Sequence, residues 1–251
     1  MKIFTYALAA FFALLFITAC REETEEIIPI TYEYSPLDSG KYIIYQVDSI
    51  LYNDYDRTVD THTYFMLYQY GREELDAKGE PFSRYEQYVK IEASDEWRLA
   101  QVFAIKNANY QLQVIQDNQR IIALSYPIVQ GKSWDGLSYI RRDTSIEIPG
   151  GNINLYKDWD NFSYTETELP FQINGLTFEK TTLVTQVDKI NNIERRYSIE
   201  RYAKGVGLIE KEMWILDTQC NGNIANCLTL PWEQKAEKGF ILRQRIIEHN
   251  F

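Results

Sequence analysis

Histidine and cysteine are scarce in this sequence, which has 2 histidines and 3 cysteines among 251 residues. A zinc site needs three or four such ligands, and serine catalysis needs a general base. The two candidate bases, His62 and His249, stand far apart, and no Gly-x-Ser-x-Gly motif occurs. The sequence therefore predicts no metal site and no catalytic centre, and an enzyme ranks last among the function classes.

Basic residues are also few compared with acidic residues. The 26 lysines and arginines are outnumbered by 36 acidic residues, which gives a formal net charge of −10 at pH 7. Nucleic acids and anionic lipid headgroups are both bound through basic surfaces. The charge balance therefore argues against nucleic acid as a partner.

A long apolar stretch occurs only near the start of the chain. After the charge of Lys2, an apolar run extends from Ala7 to Phe16, and no further charge follows until Arg21. A helix that crosses a membrane needs roughly 20 apolar residues, so this run is too short. A short apolar run behind a positive charge is typical of a signal peptide, which we predict for residues 1–19.

The signal peptide ends in Ile17-Thr18-Ala19-Cys20, which resembles the bacterial lipobox. The resemblance implies that a diacylglyceryl group is attached to the Cys20 thiol, that the chain is cut before Cys20, and that the new amino group is acylated. The alternative is an ordinary signal peptide that ends in cysteine. The predicted membrane contact is made through these acyl chains, and no other cofactor is expected.

We predict that residues 20–30 comprise the lipidated cysteine and an acidic tether. The stretch from Arg21 to Glu26 has no apolar residue, so it predicts a solvated segment. It also resembles the short signal that follows the lipid-bearing cysteine in surface-exposed lipoproteins of Bacteroidota. The alternative is a plain hydrophilic linker. The resemblance implies an outer-membrane location, facing either the periplasm or the outside.

From residue 31 to residue 251 the pattern predicts a mainly β domain. Ile43, Tyr45 and Val47 alternate with Gln46 and Asp48, and Tyr197 and Ile199 alternate with Ser198 and Glu200. Turn-forming residues, as at 107–109, 117–118 and 174–175, separate such runs. A period of two indicates antiparallel sheets buried on one face. Only residues 231–238 suggest helix, as one short turn ended by Gly239.

One phrase occurs twice. The segment from Pro36 to Lys41 shares the pattern Pro-x3-Gly-Lys with the segment from Pro127 to Lys132, and a large aromatic follows each. This echo suggests two related halves, residues 31–125 and 126–251. Chance reuse of one turn is the alternative, because two copies are weak evidence of a repeat.

Four phrases, at residues 35–49, 126–134, 202–212 and 239–247, resemble a broad group of uncharacterised Bacteroidota lipoproteins. This group is similar to lipoproteins in which a curved sheet half-encloses an apolar groove, and it carries over no catalytic residues. With the resemblance, the fold prediction becomes curved antiparallel sheets in an open-barrel or sandwich-like arrangement. The sequence departs from the group at residues 42–45, where tryptophan is frequent, and in the segment from Cys220 to Cys227.

Cys220 and Cys227 are the two cysteines that remain once Cys20 carries lipid. In an oxidising compartment, two cysteines this close in sequence are expected to pair, so we predict a disulfide. Two free buried thiols are the alternative.

Three functions remain open. The first is a non-catalytic, lipid-anchored protein that binds or supports an unknown envelope protein. The second is a carrier or sensor of an apolar ligand, suggested by residues 64–70, which are apolar on both sides of a predicted strand. The third is a surface glycan-binding module that uses exposed Trp97, Trp159 or Trp232 as stacking platforms. The placement of the aromatic side chains distinguishes them, as a lined cavity, an exposed row or full burial.

Overall fold

Strands dominate the computed structural model, which describes residues 30–220 and 224–251. The predicted signal peptide and Cys20 lie outside the described residues. Residues Thr31–Phe251 form one compact unit. The prediction of a mainly β fold built from curved antiparallel sheet is confirmed.

The fourteen strands of the described part are numbered in chain order. They are β1 (Tyr42–Tyr52), β2 (Val59–Leu75), β3 (Pro81–Lys90), β4 (Arg98–Ala108), β5 (Gln111–Gln116), β6 (Gln119–Ser125), β7 (Ser133–Trp134), β8 (Ser145–Ile148), β9 (Gly151–Asn154), β10 (Phe162–Ile173), β11 (Leu176–Ile190), β12 (Glu194–Ala203), β13 (Gly207–Asp217) and β14 (Lys238–His249). Two short helices, α1 (Ile224–Cys227) and α2 (Trp232–Lys235), precede the last strand. The predicted helical turn is thus present but shorter than residues 231–238, because Lys238 already belongs to β14.

Twelve of these strands form one antiparallel sheet in the order β6-β5-β4-β3-β2-β1-β14-β13-β12-β11-β10-β7. The strands β8 and β9 form a separate hairpin. The first six strands therefore make one arm and the later strands make the other, and the arms are joined where β1 pairs with β14. The first arm ends with β6 at Ser125.

The sheet curls until it is nearly closed into a barrel, with one unsealed seam. The seam lies between the two end strands, β6 and β7. Isolated hydrogen bonds cross it, and two of them involve Ile122 of β6. The Trp134 Nε1–H donates to the Ile122 carbonyl at 2.8 Å, and the Ile122 N–H donates to the Gly136 carbonyl at 3.0 Å. The seam is therefore held by isolated contacts, whereas the β1–β14 junction is a continuous ladder.

Alternation along the strands places one series of side chains inside the barrel. Ile43, Tyr45 and Val47 are fully buried, on the face predicted for them. They pack with Ile209 and Ile246 from the other arm in one hydrophobic cluster. Each such side chain contributes about 1.5–3 kcal/mol when it is removed from water. The core thus binds the two arms together at their junction.

The repeated phrase adopts the same turn in both places. The Gly40 N–H donates to the Tyr70 carbonyl at 2.8 Å, and the Tyr70 N–H donates to the Lys41 carbonyl at 2.8 Å. In the second copy, Gly131 and Lys132 make the same two hydrogen bonds with Tyr164, at 2.9 and 3.1 Å. Both glycines have positive φ, +84° and +78°, which other residues rarely adopt. The two copies thus share one turn geometry, and the division into two related halves stays a prediction.

Cys220 and Cys227 are joined by a disulfide, with their Cα atoms 5.6 Å apart. The bridge lies in the segment between β13 and α2. None of the helices in the described residues is long and apolar enough to cross a membrane.

Candidate ligand-binding site

The inside of the barrel is not completely filled. A cavity of about 270 Å³ remains between the two arms, close to the lower end of the roughly 300–1,000 Å³ typical of small-molecule sites. Its wall is formed mostly by inward-facing side chains of the strands. These include Met66, Tyr68, Tyr70, Tyr85, Phe103, Ile105, Leu112, Val114, Ile121, Ala123, Phe162, Glu200, Tyr202, Lys211, Met213 and Leu242.

Aromatic rings form one wall. Tyr68 on β2 and Tyr85 on β3 are diagonal neighbours across adjacent strands, and their rings stack with centroids 4.9 Å apart. Tyr70 and Phe103 flank this pair, with centroids 4.7 and 6.2 Å from that of Tyr85. These residues come from β2, β3 and β4, where alternation turns every second side chain inward. The rings give the cavity a large apolar surface.

A buried ion pair forms the opposite wall. Glu200 on β12 and Lys211 on β13 are direct cross-strand partners. The Lys211 Nζ donates to Glu200 Oε1 at 2.8 Å, and the Tyr202 hydroxyl donates to Glu200 Oε2 at 2.5 Å. Among the described residues that line the cavity, Glu200 and Lys211 are the only charged side chains. The cavity therefore combines an apolar wall with one charged centre, whose two charges balance, and uncharged polar side chains such as Gln186 and Gln244 also line it.

The two partners differ in how much surface they present. The Glu200 side chain is 8% exposed, but that of Lys211 is 26% exposed although it lies on the inner face of the sheet. Because Lys211 lines the cavity, this exposed surface faces the interior space. The ammonium group can therefore meet a molecule placed in the cavity.

The ionisation of this centre follows from its surroundings. Burial alone lowers the pKa of Lys211, but the charge of Glu200 and the hydrogen bond to it outweigh burial and raise that pKa above its usual value. Burial, followed by the negative charge of Glu200 and the hydrogen bond to it, raises the pKa of Tyr202 well above 10. Lys211 is therefore charged and Tyr202 is neutral at neutral pH.

The seam of the barrel borders this cavity. Phe162, which pairs with Trp134 of β7, and Ile121, which precedes Ile122 of β6, both line the cavity. The unsealed seam between the two end strands therefore lies beside the cavity.

The three predicted ligand-contact tryptophans do not form an exposed row. Trp159 is 3% exposed and Trp232 is 7% exposed, so the prediction of exposed stacking platforms is wrong for these two. Trp232 packs with Tyr52, Leu216 and Ile241 in a second core cluster. Trp159 lies in the segment before β10 and Trp232 lies in α2, and both rings are buried because removing a large aromatic surface from water is favourable.

Trp159 and Trp97 have different surroundings. Trp159 lines the cavity instead of the surface. Trp97 is half-buried, with the Lys90 ammonium 4.8 Å from its ring centroid. The structure therefore leaves no coplanar array of these three rings for a sugar.

The remaining predicted site residues are apart from the cavity. Cys20 lies outside the described residues, and the Cys220–Cys227 bridge does not line the cavity. His62 is exposed, and His249 packs beside Phe178 at 5.9 Å between ring centroids. The described residues contain no group of three or more His, Cys, Asp or Glu side chains placed to hold a metal ion.

The sequence reasoning missed Glu200, Lys211 and Tyr202. Alternation in β12 assigned Ser198 and Glu200 to a polar face opposite Ile199, as in a sheet with one face in water. That interpretation is wrong for this strand, because Ser198 and Glu200 are buried along with Ile199. Their polar atoms are satisfied internally, with Ser198 donating to Gln186 at 2.7 Å and Glu200 paired with Lys211.

A comparison with protein-family models finds no match, and a comparison with curated proteins finds none. Among solved structures, the chain is similar to a candidate exported protein with a YmcC-like fold from Bacteroides fragilis, at 9% identity and a TM-score of 0.44. That alignment covers 86% of this chain and 98% of the other. It is also similar to a candidate lipoprotein from Parabacteroides distasonis, at 9% identity and a TM-score of 0.46, over 88% of this chain and 100% of the other. With both scores below 0.5, neither likeness supports a conclusion about the chemistry of the cavity.

Proposed function

We propose that this chain is an exported, lipid-anchored and non-catalytic protein that carries or senses a mainly apolar ligand inside its barrel. The observation that supports this function is the cavity itself, walled by tyrosine, phenylalanine and aliphatic side chains from both arms and containing one ion pair. A protein interior normally packs to the density of an organic crystal. Unfilled space lined by a few placed polar groups is characteristic of a binding site.

The competing functions have less support. Glycan binding by stacking needs exposed rings, and Trp159 and Trp232 are buried. A purely structural role in an envelope assembly gives no reason for a charged pair beside open space in the core. Burying an ion pair is costly unless its geometry is good. The presence of such a pair beside the cavity therefore favours a binding role over a purely structural one.

For the location, we propose the outer membrane, on the periplasmic or the outer side, with the acyl chains on Cys20 as the contact. The support is the resemblance to the lipobox and the acidic tether that follows it. The barrel would then be held near the membrane while its ligand is enclosed in the cavity.

Replacing Cys20 with alanine should move the protein from the membrane fraction to the soluble fraction and abolish labelling by a fatty-acid analogue. The reason is that each buried methylene contributes about 0.8 kcal/mol, so the acyl chains hold the protein firmly. Fractionation after high-salt and carbonate washes, with the unaltered chain alongside, measures this. Retention of the variant in washed membranes contradicts the anchor.

Ligand binding can be measured with the domain Thr31–Phe251, a compact unit with its own core. We expect the neutral fluorescent probe N-phenyl-1-naphthylamine to bind saturably, with one probe per domain. Ala123→Phe should weaken the probe's binding by about tenfold or more, equal to about 1.4 kcal/mol, because Ala123 lines the cavity and the added ring would occupy it.

The matched control is Ala104→Phe, which adds the same ring to β4 between Phe103 and Ile105, whose side chains face inward. It should leave probe binding unchanged. Val114→Phe, also in the cavity wall, replaces Ala123→Phe if circular dichroism shows that variant to be unfolded. Equal binding by the folded inner and outer variants, or no saturable binding at all, overturns the proposed function.

A further inference from the structure

The ion pair in the cavity has donors left over and few acceptors. A lysine ammonium group has three N–H donors. Among the described residues, the Lys211 ammonium group makes a single hydrogen bond, to Glu200 Oε1. Glu200 already accepts from Lys211 at one oxygen and from the Tyr202 hydroxyl at the other. A ligand that reaches this centre is therefore offered hydrogen-bond donors from Lys211.

The charge of the centre limits what kind of acceptor fits. Lys211 is neutralised by Glu200 at 2.8 Å, and no second cation lies among the described residues that line the cavity. A carboxylate or phosphate bound at Lys211 would bring a second negative charge close to Glu200, without compensation and away from water. Burying an unpaired charge is far more costly than burying a neutral group that accepts a hydrogen bond.

Resting on the function proposed above, we infer that the cavity selects an apolar molecule with an uncharged oxygen acceptor, such as an ester carbonyl or a hydroxyl group. The acceptor lies at Lys211, and the apolar part contacts the rings of Tyr68, Tyr85 and Phe103. Free fatty acids in their ionised form are excluded by the same argument.

Displacement of N-phenyl-1-naphthylamine from the domain Thr31–Phe251 at pH 7 tests this selectivity. The competitors are methyl laurate, dodecanol, laurate and dodecane, which share similar chains and differ in the head group. Methyl laurate and dodecanol should displace the probe at concentrations at least about tenfold lower than laurate or dodecane do. Laurate tests the effect of charge, and dodecane tests the effect of the acceptor.

A variant that removes the charge of Glu200 tests whether the preference between charged and uncharged head groups can be reversed. Glu200→Gln keeps the shape of the side chain but leaves Lys211 without its counter-charge, so laurate should now displace the probe better than methyl laurate. The double variant Glu200→Gln with Lys211→Met removes both charges, and it should bring methyl laurate and dodecane to within about twofold of each other. Should Glu200→Gln be unfolded, the double variant and the four competitors on the unaltered domain still decide the question.

The failure of this inference is distinct from the failure of the proposed function. If neither the probe nor any competitor binds, the proposed function fails. If the probe binds and laurate displaces it as well as or better than methyl laurate, the cavity is a binding site but the selectivity is wrong. Equal displacement by dodecane and methyl laurate likewise overturns the role of Lys211 as a donor.

Discussion

Lys211→Met is expected to lower the free energy of unfolding by about 3–5 kcal/mol, because it leaves the charge of Glu200 without a partner inside the barrel. The Glu200 side chain is 8% exposed, so water cannot fully replace the lost ammonium group. The remaining hydrogen bond from Tyr202 satisfies one carboxylate oxygen but does not neutralise the charge. Urea unfolding of the domain Thr31–Phe251 at pH 7, followed by circular dichroism, gives the difference.

Two variants show whether this loss comes from the unpaired charge. The double variant Lys211→Met with Glu200→Gln should recover most of the stability, because no charge is then buried. Lys189→Met removes a lysine whose ion pair with Asp160 has the same 2.8 Å distance but is exposed, and it should change stability by about 1 kcal/mol or less. If Lys211→Met costs no more than Lys189→Met, the pair is not the buried centre described above.

Much of the architecture could be predicted from local patterns. Alternation in β1 identified its buried face, and the turn residues at 107–109, 117–118 and 174–175 mark hairpins that the structure contains. Local patterns could not decide how the two arms join or how the sheet closes. The pairing of β1 with β14, which joins the arms, brings together residues about 200 positions apart, and no local signal distinguishes the near-closed barrel from a sandwich of two sheets.

The ion pair illustrates why the site was harder to predict. Folding the β12–β13 hairpin back from its first pairs, Ala203 with Gly207 and Tyr202 with Leu208, would place Glu200 opposite Glu210. A register shift after Tyr202 instead sets Glu200 opposite Lys211. Because a β-bulge adds one residue to one strand, a change of one position converts a like-charge pair into a salt bridge.

Side-chain alternation was also misleading in β12 for a physical reason. A polar series on a strand normally faces water, since burying a charge without a partner is unfavourable. Here the partner stands on the neighbouring strand, and the space beside it is the cavity. The sequence signal that could have identified the site is therefore a cross-strand pair of opposite charges among buried neighbours, which requires the register to be known first.

Unfolding at alkaline pH is expected to be cooperative and complete before about pH 12. Five tyrosines in the barrel have a raised pKa, and burial is the main cause. They are Tyr45, Tyr68, Tyr70, Tyr85 and Tyr202. The pKa of Tyr70 is raised to about 12, and the pKa of each of the other four is raised further. In the unfolded chain these phenols lose their protons near pH 10.

The sign follows from proton linkage. Below pH 10 both states hold the phenolic protons and the full stability is present, whereas above pH 10 the unfolded state releases protons that the folded state keeps. Each such tyrosine then lowers the free energy of unfolding by about 1.4 kcal/mol per pH unit. Five of them remove about 7 kcal/mol per unit, which is comparable to the whole stability of about 5–15 kcal/mol of a typical domain. The raised pKa of Lys211 acts in the same direction above its usual value.

Phenolate absorbance and far-UV circular dichroism, recorded together during a pH titration of the domain Thr31–Phe251, separate two populations of tyrosine. Phenolate that forms while the β signal is intact comes from rings outside the core. The remaining phenolate signal should then rise in one steep step together with the loss of the β signal, because the buried phenols ionise only when the barrel opens. A single smooth titration near pH 10 with the β signal retained would mean that water reaches the inner tyrosines. The cavity would then not be the apolar space on which the proposed function depends.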